Sequence, residues 1–176
     1  MVINFQVQGL KKLERKLKAA QDIMRSLKPY WQQVGMYIQR QTIKERFEKE
    51  QSPSGEKWKP LSDMTKTIRS KKHPIGDMRI LQDNGNLRES IQYEAGNNYV
   101  KVGSVLKYAR IHQFGGTINV SNKQRRVLYR KGFRVGRTIK IPARPFLGIT
   151  ASELKHIKSM FRNYIKRRIL GGGSHL

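Results

Sequence analysis

The sequence contains no cysteine among its 176 residues. This absence excludes disulfide bonds and thiolate metal ligands, and it fits a reducing cytoplasm. No stretch approaches the roughly 20 apolar residues that a membrane-spanning helix needs. The opening residues, MVINFQVQGLKK, also lack the basic region and apolar core of a secretory signal. We therefore expect a protein that is made in the cytoplasm and does not associate with a membrane.

Acidic residues are scarce. The chain has 12 Asp and Glu against 37 Lys and Arg, which gives a formal net charge of +25. The imbalance is strongest from residue 101 to residue 176, where Glu153 is the only acid. Charge of one sign on this scale is tolerated when a polyanion or an acidic protein surface lies nearby, and nucleic acid is the usual polyanion. The alternative interpretation is a solvated surface that keeps the protein soluble.

Enzyme motifs are also missing from the sequence. There is no HExxH, GxSxG, Walker A or Rossmann glycine pattern. The four histidines, His73, His112, His156 and His175, show no metal-ligand spacing. A metal-dependent nuclease would need clustered carboxylates, and the spacing of Asp77, Asp83 and Glu89 is not diagnostic. We expect no catalytic residues, no cofactor and no bound metal.

Three segments have the periodicity of amphipathic helices. The first places Leu10, Leu13, Leu17, Ala20, Met24 and Leu27 on one face, and Pro29 then marks the first turn of the second helix. The second places Trp31, Val34, Ile38, Thr42, Ile43 and Phe47 on one face and runs to about residue 51. The third places Leu154, Ile157, Met160, Phe161, Tyr164, Ile165 and Ile169 inward. These apolar faces predict a hydrophobic core.

Between the helices the patterns indicate strands and loops. The alternating residues 2–8 predict a strand, and residues 90–104 predict a hairpin around Gly-Asn-Asn. TINV and RTIKIPA predict two strands that pair with each other. Residues 52–85 predict a long loop or arm anchored by Trp58, and the following short helix has Asn86 as its N-cap with Glu89 three residues later.

The predicted fold is α+β. A small, mainly antiparallel sheet from residues 90–141 packs against two N-terminal helices and one C-terminal helix. We expect a single domain over residues 1–170 and a flexible tail over 171–176.

Residues 119–140 predict a projecting basic hairpin. Nine Lys and Arg and no acid lie between residues 121 and 144. The side chains expected to face DNA or a protein partner are Lys123, Arg125, Arg126, Arg130, Lys131, Arg134, Arg137 and Lys140. Tyr129 and Phe133 could stack on bases, and strand alternation predicts that Val127, Phe133 and Val135 pack inward. Without a helix-turn-helix, zinc finger or RRM signature, this pattern favours contact with backbone charge over sequence readout.

Two turn motifs bracket the basic hairpin. YARIHQFGG predicts a helical turn capped by Gly115 or Gly116, with Tyr108, Ile111 and Phe114 packed on one face. No acid lies near His112 in sequence, so we interpret it as a structural histidine whose ring nitrogens bond to neighbouring backbone. In IPARPF, Pro142 and Pro145 hold the chain extended and Arg144 projects between them as a donor.

Four motifs in order carry a resemblance: SGEKWKPLS, ILQDNGNLRESI, VKVGS with YARIHQFGG, and IPARPFLGI. Together, over roughly residues 53 to 150, they resemble the phage virion morphogenesis family, the tail-completion proteins of P2-like and Mu-like phages. YAR with FG and PARPF is also similar to the tail-completion component of other long-tailed phages. The matching positions are Trp58, Tyr108, His112, Phe114, Gly115, Gly116, Pro142, Arg144, Pro145 and Phe146.

This resemblance implies a non-enzymatic virion protein at the head-proximal end of the tail or in the neck, assembled in the host cytoplasm. It implies a ring of copies, most commonly a hexamer, around the DNA channel. Its neighbours would be neck, connector, tail terminator or tube proteins, and its motif residues would shape the core and subunit contacts. The basic hairpin would contact packaged double-stranded DNA without reading sequence, or dock on an acidic neighbour. The other class of function is a nucleic-acid-binding protein that acts outside a virion ring.

Overall fold

The computed structural model describes residues 9–72 and 78–170. The chain divides into two compact units. Of the described residues, unit 1 comprises 9–36, 94–101 and 151–170, and unit 2 comprises 37–72, 78–93 and 102–150. The predicted strand over residues 2–8 and the predicted tail over 171–176 lie outside the described residues.

The described residues form seven α-helices, one π-helical segment and four strands. In chain order these are α1 (Leu10–Arg25), α2 (Lys28–Gln41), the π-helical segment (Thr42–Glu48), α3 (Asp63–Lys72), α4 (Asn86–Glu89), β1 (Ile91–Ala95), β2 (Val100–Ser104), α5 (Ala109–Phe114), β3 (Gly116–Asn119), α6 (Asn122–Arg130), β4 (Thr138–Ile141) and α7 (Ala151–Leu170). The predicted α+β class is confirmed. No helix in the described ranges is both long enough and apolar enough to cross a membrane.

The strands form two separate two-stranded sheets, so the prediction of one small sheet over residues 90–141 is wrong. β1 and β2 are joined by a tight turn in which the Gly96 N–H donates to the Tyr99 carbonyl (2.9 Å). β3 and β4 pair antiparallel with Gly116 opposite Ile141. Each strand has only four or five residues and pairs with its own hairpin partner, which leaves two short ribbons in place of a continuous sheet.

In unit 1, an aromatic cluster surrounds Tyr30. Its ring lies 4.9 Å from Trp31, 5.1 Å from Phe161 and 5.7 Å from Tyr164, between ring centroids. The Tyr30 hydroxyl donates to the Ile157 carbonyl at 3.1 Å. This hydroxyl has a partner inside the cluster, so the tyrosine is buried without leaving its polar atom unsatisfied. The cluster confirms the prediction that Trp31, on α2, and Tyr164, on α7, contribute to a core.

The apolar face of α1 does not pack as predicted. Leu10, Leu13 and Leu17 are each more than 50% exposed, and Met24 is 78% exposed. Ala20 and Leu27, which belong to the predicted face, are half-buried, and Leu27 follows the end of the helix. Ile23, which was not predicted, is the buried residue of α1, and the helix lies against α7. The predicted face is therefore confirmed only towards its C-terminal end.

In unit 2, three aromatic residues form the centre of the core. Phe47 and Phe146 are fully buried, and the Phe47 ring lies 5.6 Å from both the Phe146 ring and the Trp58 ring. Ile80, Leu81, Leu87, Ile91 and Ala109 complete the cluster. The second predicted helix therefore delivers Phe47 to the core from its π-helical end, as its periodicity indicated.

Residues 52–72 and 78–85 contain regular structure that the predicted loop or arm did not include. The helix α3 lies here, and Trp58, Ile80 and Gln82 are buried. The Gln82 amide donates to the Phe47 carbonyl at 2.7 Å. None of the α3 residues is buried. The predicted N-cap is also wrong, because Gly85 with φ 77° is the N-cap of α4 and Asn86 is already helical.

Candidate functional site

The two bracket motifs meet through their backbones in unit 2. Gly115, which ends α5, has φ 71°, and a Cβ at this position would lie 2.7 Å from the Ala143 nitrogen. The Arg144 N–H donates to the His112 carbonyl at 2.7 Å. The glycine is therefore required by both its conformation and the space available.

Gln113 completes this junction and was missed by the sequence analysis. Its side-chain oxygen accepts the N–H groups of Phe146 (3.0 Å) and Leu147 (2.9 Å), and its amide donates to the Leu147 carbonyl (2.9 Å). One half-buried amide thus satisfies three backbone groups of an extended segment that has no strand partner there. The only available signal was its position beside His112 within the motif, which does not reveal such a role.

Arg144 does not project into solvent, so the prediction of a projecting donor is wrong. Its side chain is buried, and its guanidinium donates to the carbonyls of Lys59 and Pro60, both at 2.8 Å. The Trp58 ring N–H similarly donates to the Pro145 carbonyl at 2.8 Å. IPARPF therefore fixes residues 58–60 against the core through buried hydrogen bonds.

The aromatic positions of the motifs divide between core and surface. Phe146 is fully buried, whereas Tyr108 is 44% exposed and Phe114 is 73% exposed. The predicted packing of Tyr108, Ile111 and Phe114 on one face is therefore wrong for Tyr108 and Phe114, while Ile111 is half-buried. α5 has six residues and buries only Ala109, because Gly115 ends the helix just after Phe114. Gly116 starts β3 opposite Ile141, and Pro142 follows β4 directly.

His112 is half-buried beside Tyr108. Its ring packs edge-on against Tyr108 at 6.0 Å, and its Nδ1 is buried without a hydrogen-bond partner among the described residues. The predicted bonds from the ring to backbone are therefore not seen at Nδ1; the main-chain carbonyl is the group that bonds. Burial lowers the pKa of His112 below its ordinary value, and the positive charge of Arg144 lowers it further.

This pKa shift predicts a pH dependence of folding. The unfolded chain takes up a proton at His112 near pH 6.5, and the folded chain does so only at lower pH. The free energy of unfolding should therefore have its full value above about pH 7 and should decrease as pH falls through 6.5. Denaturant unfolding at several pH values checks this, and a His112→Gln variant should lose less stability between about pH 7 and pH 5. Equal losses in both proteins would contradict the assignment.

The basic segment is a helix carried on a ribbon, so the prediction of a β-hairpin throughout 119–140 is corrected. β3 and β4 do pair as expected, but α6 replaces the predicted inner strands. Ser121 and Gln124 form a capping box: each side chain accepts the backbone N–H of the other residue, at 3.2 and 2.8 Å. This start signal favours a helix over the strand alternation that was expected.

The end of α6 is equally well defined. The Gly132 N–H donates to the Tyr129 carbonyl and the Phe133 N–H to the Leu128 carbonyl, both at 2.9 Å. With φ 87° at Gly132, this is a Schellman C-cap. The Arg125 Nε also donates to the Val135 carbonyl at 3.3 Å, which ties the helix to the returning chain. Both ends of the helix are thus fixed by local sequence, and the basic side chains sit on a defined scaffold.

Most of the predicted basic residues face solvent. The exposed ones are Lys123, Arg126, Arg130, Lys131, Arg134, Arg137 and Lys140, and Arg125 is half-buried. No ion pair within the described ranges involves any of them. Tyr129 is 62% exposed with the Arg134 guanidinium over its ring at 6.0 Å, and Val127 is 38% exposed, so its predicted packing is wrong. The positive charge is therefore available to a partner.

Four arginines of this element also border a shallow cavity. Arg125, Arg126, Arg130 and Arg134 line it together with Tyr129 and Phe133, and its volume is about 810 Å³. A cavity of this kind fits phosphate or carboxylate groups, because guanidinium groups donate two hydrogen bonds in the geometry that these anions accept.

The carboxylates weighed for a nuclease do not form a metal centre in the described part of the chain. Asp83 lies 3.6 Å from the Arg69 Nε and 3.2 Å from the Lys72 Nζ, so cations already neutralise it. No group of three metal-ligating side chains occurs among residues 9–72 and 78–170. Asp77 lies outside the described residues.

Comparison with known proteins identifies the class. The model of the phage virion morphogenesis family matches residues 8–166, and the chain belongs to this family. The match covers both bracket motifs and the basic element between them. No solved structure is similar enough to count as a match.

Three relatives come from Mu and from Mu-like prophages. The chain is 28% identical over 123 residues to Mu-like prophage FluMu G protein 1 of Haemophilus influenzae, which covers 70% of this chain and 69% of that protein. It is 28% identical over 125 residues to the protein of Escherichia phage Mu described as "Putative capsid assembly protein G", which covers 70% of each. It is 40% identical over 90 residues to FluMu G protein 2 of Haemophilus influenzae, covering 49% of this chain and 54% of that protein. The chain is thus a phage virion morphogenesis protein.

Proposed function

We propose that the chain is a non-enzymatic structural subunit of a tailed-phage virion that completes the tail or joins it to the head. In this proposal several copies, six being the expected number, form a ring at the neck. The ring surrounds the channel through which DNA passes and contacts connector, tail terminator or tube proteins. Membership of the virion morphogenesis family supports this role, and the described surface suggests how the ring meets DNA.

The observation that carries the proposal is the exposed cationic surface of α6 and its flanks. Seven basic side chains are exposed on one element of about twenty residues that contains no acid. Unpaired like charges repel one another, so such an arrangement destabilises the isolated subunit unless an anionic partner neutralises it. DNA supplies phosphates along its whole length, and a ring of these elements would hold the duplex by charge alone.

The geometry favours contact with phosphates over readout of bases. α6 has only nine residues, and it is attached to a two-stranded ribbon, not to the second helix of a helix-turn-helix. Its exposed arginines can donate to phosphate oxygens of any sequence. This suits a protein that must hold whichever DNA end was packaged.

The salt dependence of DNA binding tests this surface. The Arg126→Ala, Arg130→Ala double variant should bind a random-sequence duplex more weakly, with a log–log salt slope that is shallower by about 2, one for each lost phosphate contact. The matched control is Arg162→Ala with Arg167→Ala, two exposed arginines of α7, which removes the same charge elsewhere. Fluorescence anisotropy at several salt concentrations gives both slopes. Equal slopes in the two variants would refute a specific role for α6.

Other outcomes separate the alternatives. A preference for one duplex sequence would indicate base readout and contradict the proposal. Tight binding by a monomer that never joins the virion would favour a nucleic-acid-binding protein acting outside a ring. DNA degradation that EDTA stops would indicate a nuclease.

The exposed motif aromatic Phe114 is expected to lie in a subunit contact. It is 73% exposed in the isolated chain, so Phe114→Ser should change the free energy of unfolding by less than about 0.5 kcal/mol. Ring formation, followed by native mass spectrometry, should weaken at least about tenfold, because aromatic side chains dominate interface energetics. Val105→Ser, at an 81% exposed position outside the motifs, is the control. Unchanged assembly in Phe114→Ser would remove Phe114 from the interface.

A further inference from the structure

The outer edge of β4 is unpaired in the described structure. The Val120 N–H donates to the Arg137 carbonyl at 2.8 Å, so these two residues form a hydrogen-bonded pair of the β3–β4 ribbon. Hydrogen-bonded and non-hydrogen-bonded pairs alternate along an antiparallel ribbon. Thr138 opposite Asn119 and Lys140 opposite Thr117 are therefore non-hydrogen-bonded pairs. The backbone N–H and C=O groups of Thr138 and Lys140 therefore point away from β3. No backbone hydrogen bond within the described ranges involves these groups.

This edge borders a groove in unit 2 that has a volume of about 830 Å³. Every residue from Thr138 to Pro142 lines the groove, whereas no residue of β3 does. A strand that presents one face to a groove contributes only every second residue to the lining of that groove. Lining by consecutive residues therefore indicates that β4 presents its edge.

The groove lining is more apolar than polar. Pro60, Leu61 and Met64 form an aliphatic wall, Ile139 and Ile141 contribute half-buried side chains from β4, and the charged lining residues Arg69 and Asp83 pair with each other at 3.6 Å. An unpaired edge beside an apolar groove is the arrangement that accepts an extended segment as an added strand, with backbone hydrogen bonds supplying affinity and alternate side chains filling the groove. The free edge is four residues long, or about 13 Å at the rise of a strand.

We propose that residues 2–8 of a second copy of this chain occupy the groove by pairing with the outer edge of β4. The sequence VINFQVQ alternates, so Ile3, Phe5 and Val7 share one face and Asn4, Gln6 and Gln8 the other. Seven extended residues span about 23 Å, more than the free edge requires. The apolar face meets the aliphatic wall, and the polar face lies on the side of Thr138 and Lys140.

Charge favours this segment over an acidic or basic occupant. Residues 2–8 carry no charged side chain. Copies with a net charge of +25 repel each other, so a contact between them is built most readily from a neutral segment. Strand donation from one copy to the next is a heterologous contact, and a series of such contacts closes into a ring. Assigning the segment to a neighbouring copy thus rests on the proposed ring function.

Disulfide trapping tests the contact directly, because the natural chain has no cysteine. One full-length chain carries Gln6→Cys, and the other carries either Lys140→Cys on the groove edge or Thr117→Cys on the outer edge of β3. Lys140 and Thr117 are exposed and lie opposite each other in the same ladder pair. At about 0.1 mM protein, the mixed dimer should form about tenfold faster with Lys140→Cys than with Thr117→Cys.

Each result of the trapping experiment decides the proposal. Equal rates for the two edges, or no mixed dimer, would overturn it. A Gln6→Cys, Lys140→Cys double variant that closes an internal disulfide without forming dimers would place the segment on its own chain, which also overturns it.

Proline substitution provides a matched second test. Thr138→Pro removes an N–H that faces the groove, and Thr117→Pro removes one on the opposite edge; neither takes a hydrogen bond from the β3–β4 ladder. Thr138→Pro should weaken self-association roughly tenfold, measured by sedimentation, and Thr117→Pro should leave it unchanged. Rings that persist in Thr138→Pro would refute the strand contact and leave the proposed function intact. Absence of the chain from the virion would refute the proposed function.

Discussion

Replacing Gly115 with alanine should lower the free energy of unfolding by about 3 kcal/mol or more. The residue has φ 71° and ψ −179°, a region that is essentially reserved for glycine. An added Cβ would also lie 2.7 Å from the Ala143 nitrogen and 3.1 Å from the Ile141 carbonyl oxygen. These contacts are with backbone, so no side-chain rotation can relieve them. The two motifs would have to separate, which would also strain the bond from the Arg144 N–H to the His112 carbonyl.

Two other glycines provide graded controls in chemical denaturation. Gly132 has φ 87° but open space around it, so Gly132→Ala should cost about 1 kcal/mol through backbone strain alone. Gly103 in β2 has neither a positive φ nor a neighbour within 4 Å, and Gly103→Ala should change stability by less than about 0.5 kcal/mol. A Gly115→Ala protein as stable as Gly103→Ala would show that the motifs do not approach as described.

Reversing the charge of α6 should abolish the function of the protein in the virion. Arg126→Glu with Arg130→Glu replaces two exposed cations by anions beside the phosphates or carboxylates they are proposed to meet. Both positions are preferable to Arg125, whose Nε bond to the Val135 carbonyl supports the element itself. We expect phage yield to fall by several orders of magnitude while the purified variant remains folded, because like charges placed in contact cost several kcal/mol.

The phenotype of this variant separates the two partners proposed for α6. If α6 faces DNA in the channel, heads and tails join but packaged DNA leaks. If α6 docks on an acidic neighbouring ring, heads and tails accumulate unjoined. Arg162→Glu with Arg167→Glu on α7 makes the same change in net charge and should be tolerated far better. Normal yield from the α6 variant would contradict both assignments.

The sequence was most informative where signals were local and periodic. The stripe of Trp31, Val34 and Phe47 predicted a long helix, and the structure confirms it to Glu48. Paired strands on either side of the basic segment were also predicted. The prediction for the centre of that segment was wrong because interleaved apolar residues suggested strand alternation. The Ser121–Gln124 capping box and Gly132 instead specify a helix.

Longer-range relations were less accessible. The apolar face predicted for α1 is shielded at Ala20 and Leu27, whereas its leucines at 10, 13 and 17 are exposed and the unpredicted Ile23 is buried. The sequence of a helix does not reveal how much of its apolar face a partner covers. Arg144 looked like a surface donor because its acceptors, the carbonyls of Lys59 and Pro60, lie more than eighty residues away in sequence. The role of Gln113 as a clamp on residues 146–147 was hidden for the same reason.

Electron cryomicroscopy of the virion neck tests the central proposal most directly. The proposal predicts a closed ring of this chain at the head-proximal end of the tail, with Arg126 and Arg130 of each copy directed at the DNA in the channel. A neck that lacks the chain, or a ring in which α6 faces solvent away from both DNA and neighbouring proteins, would contradict it.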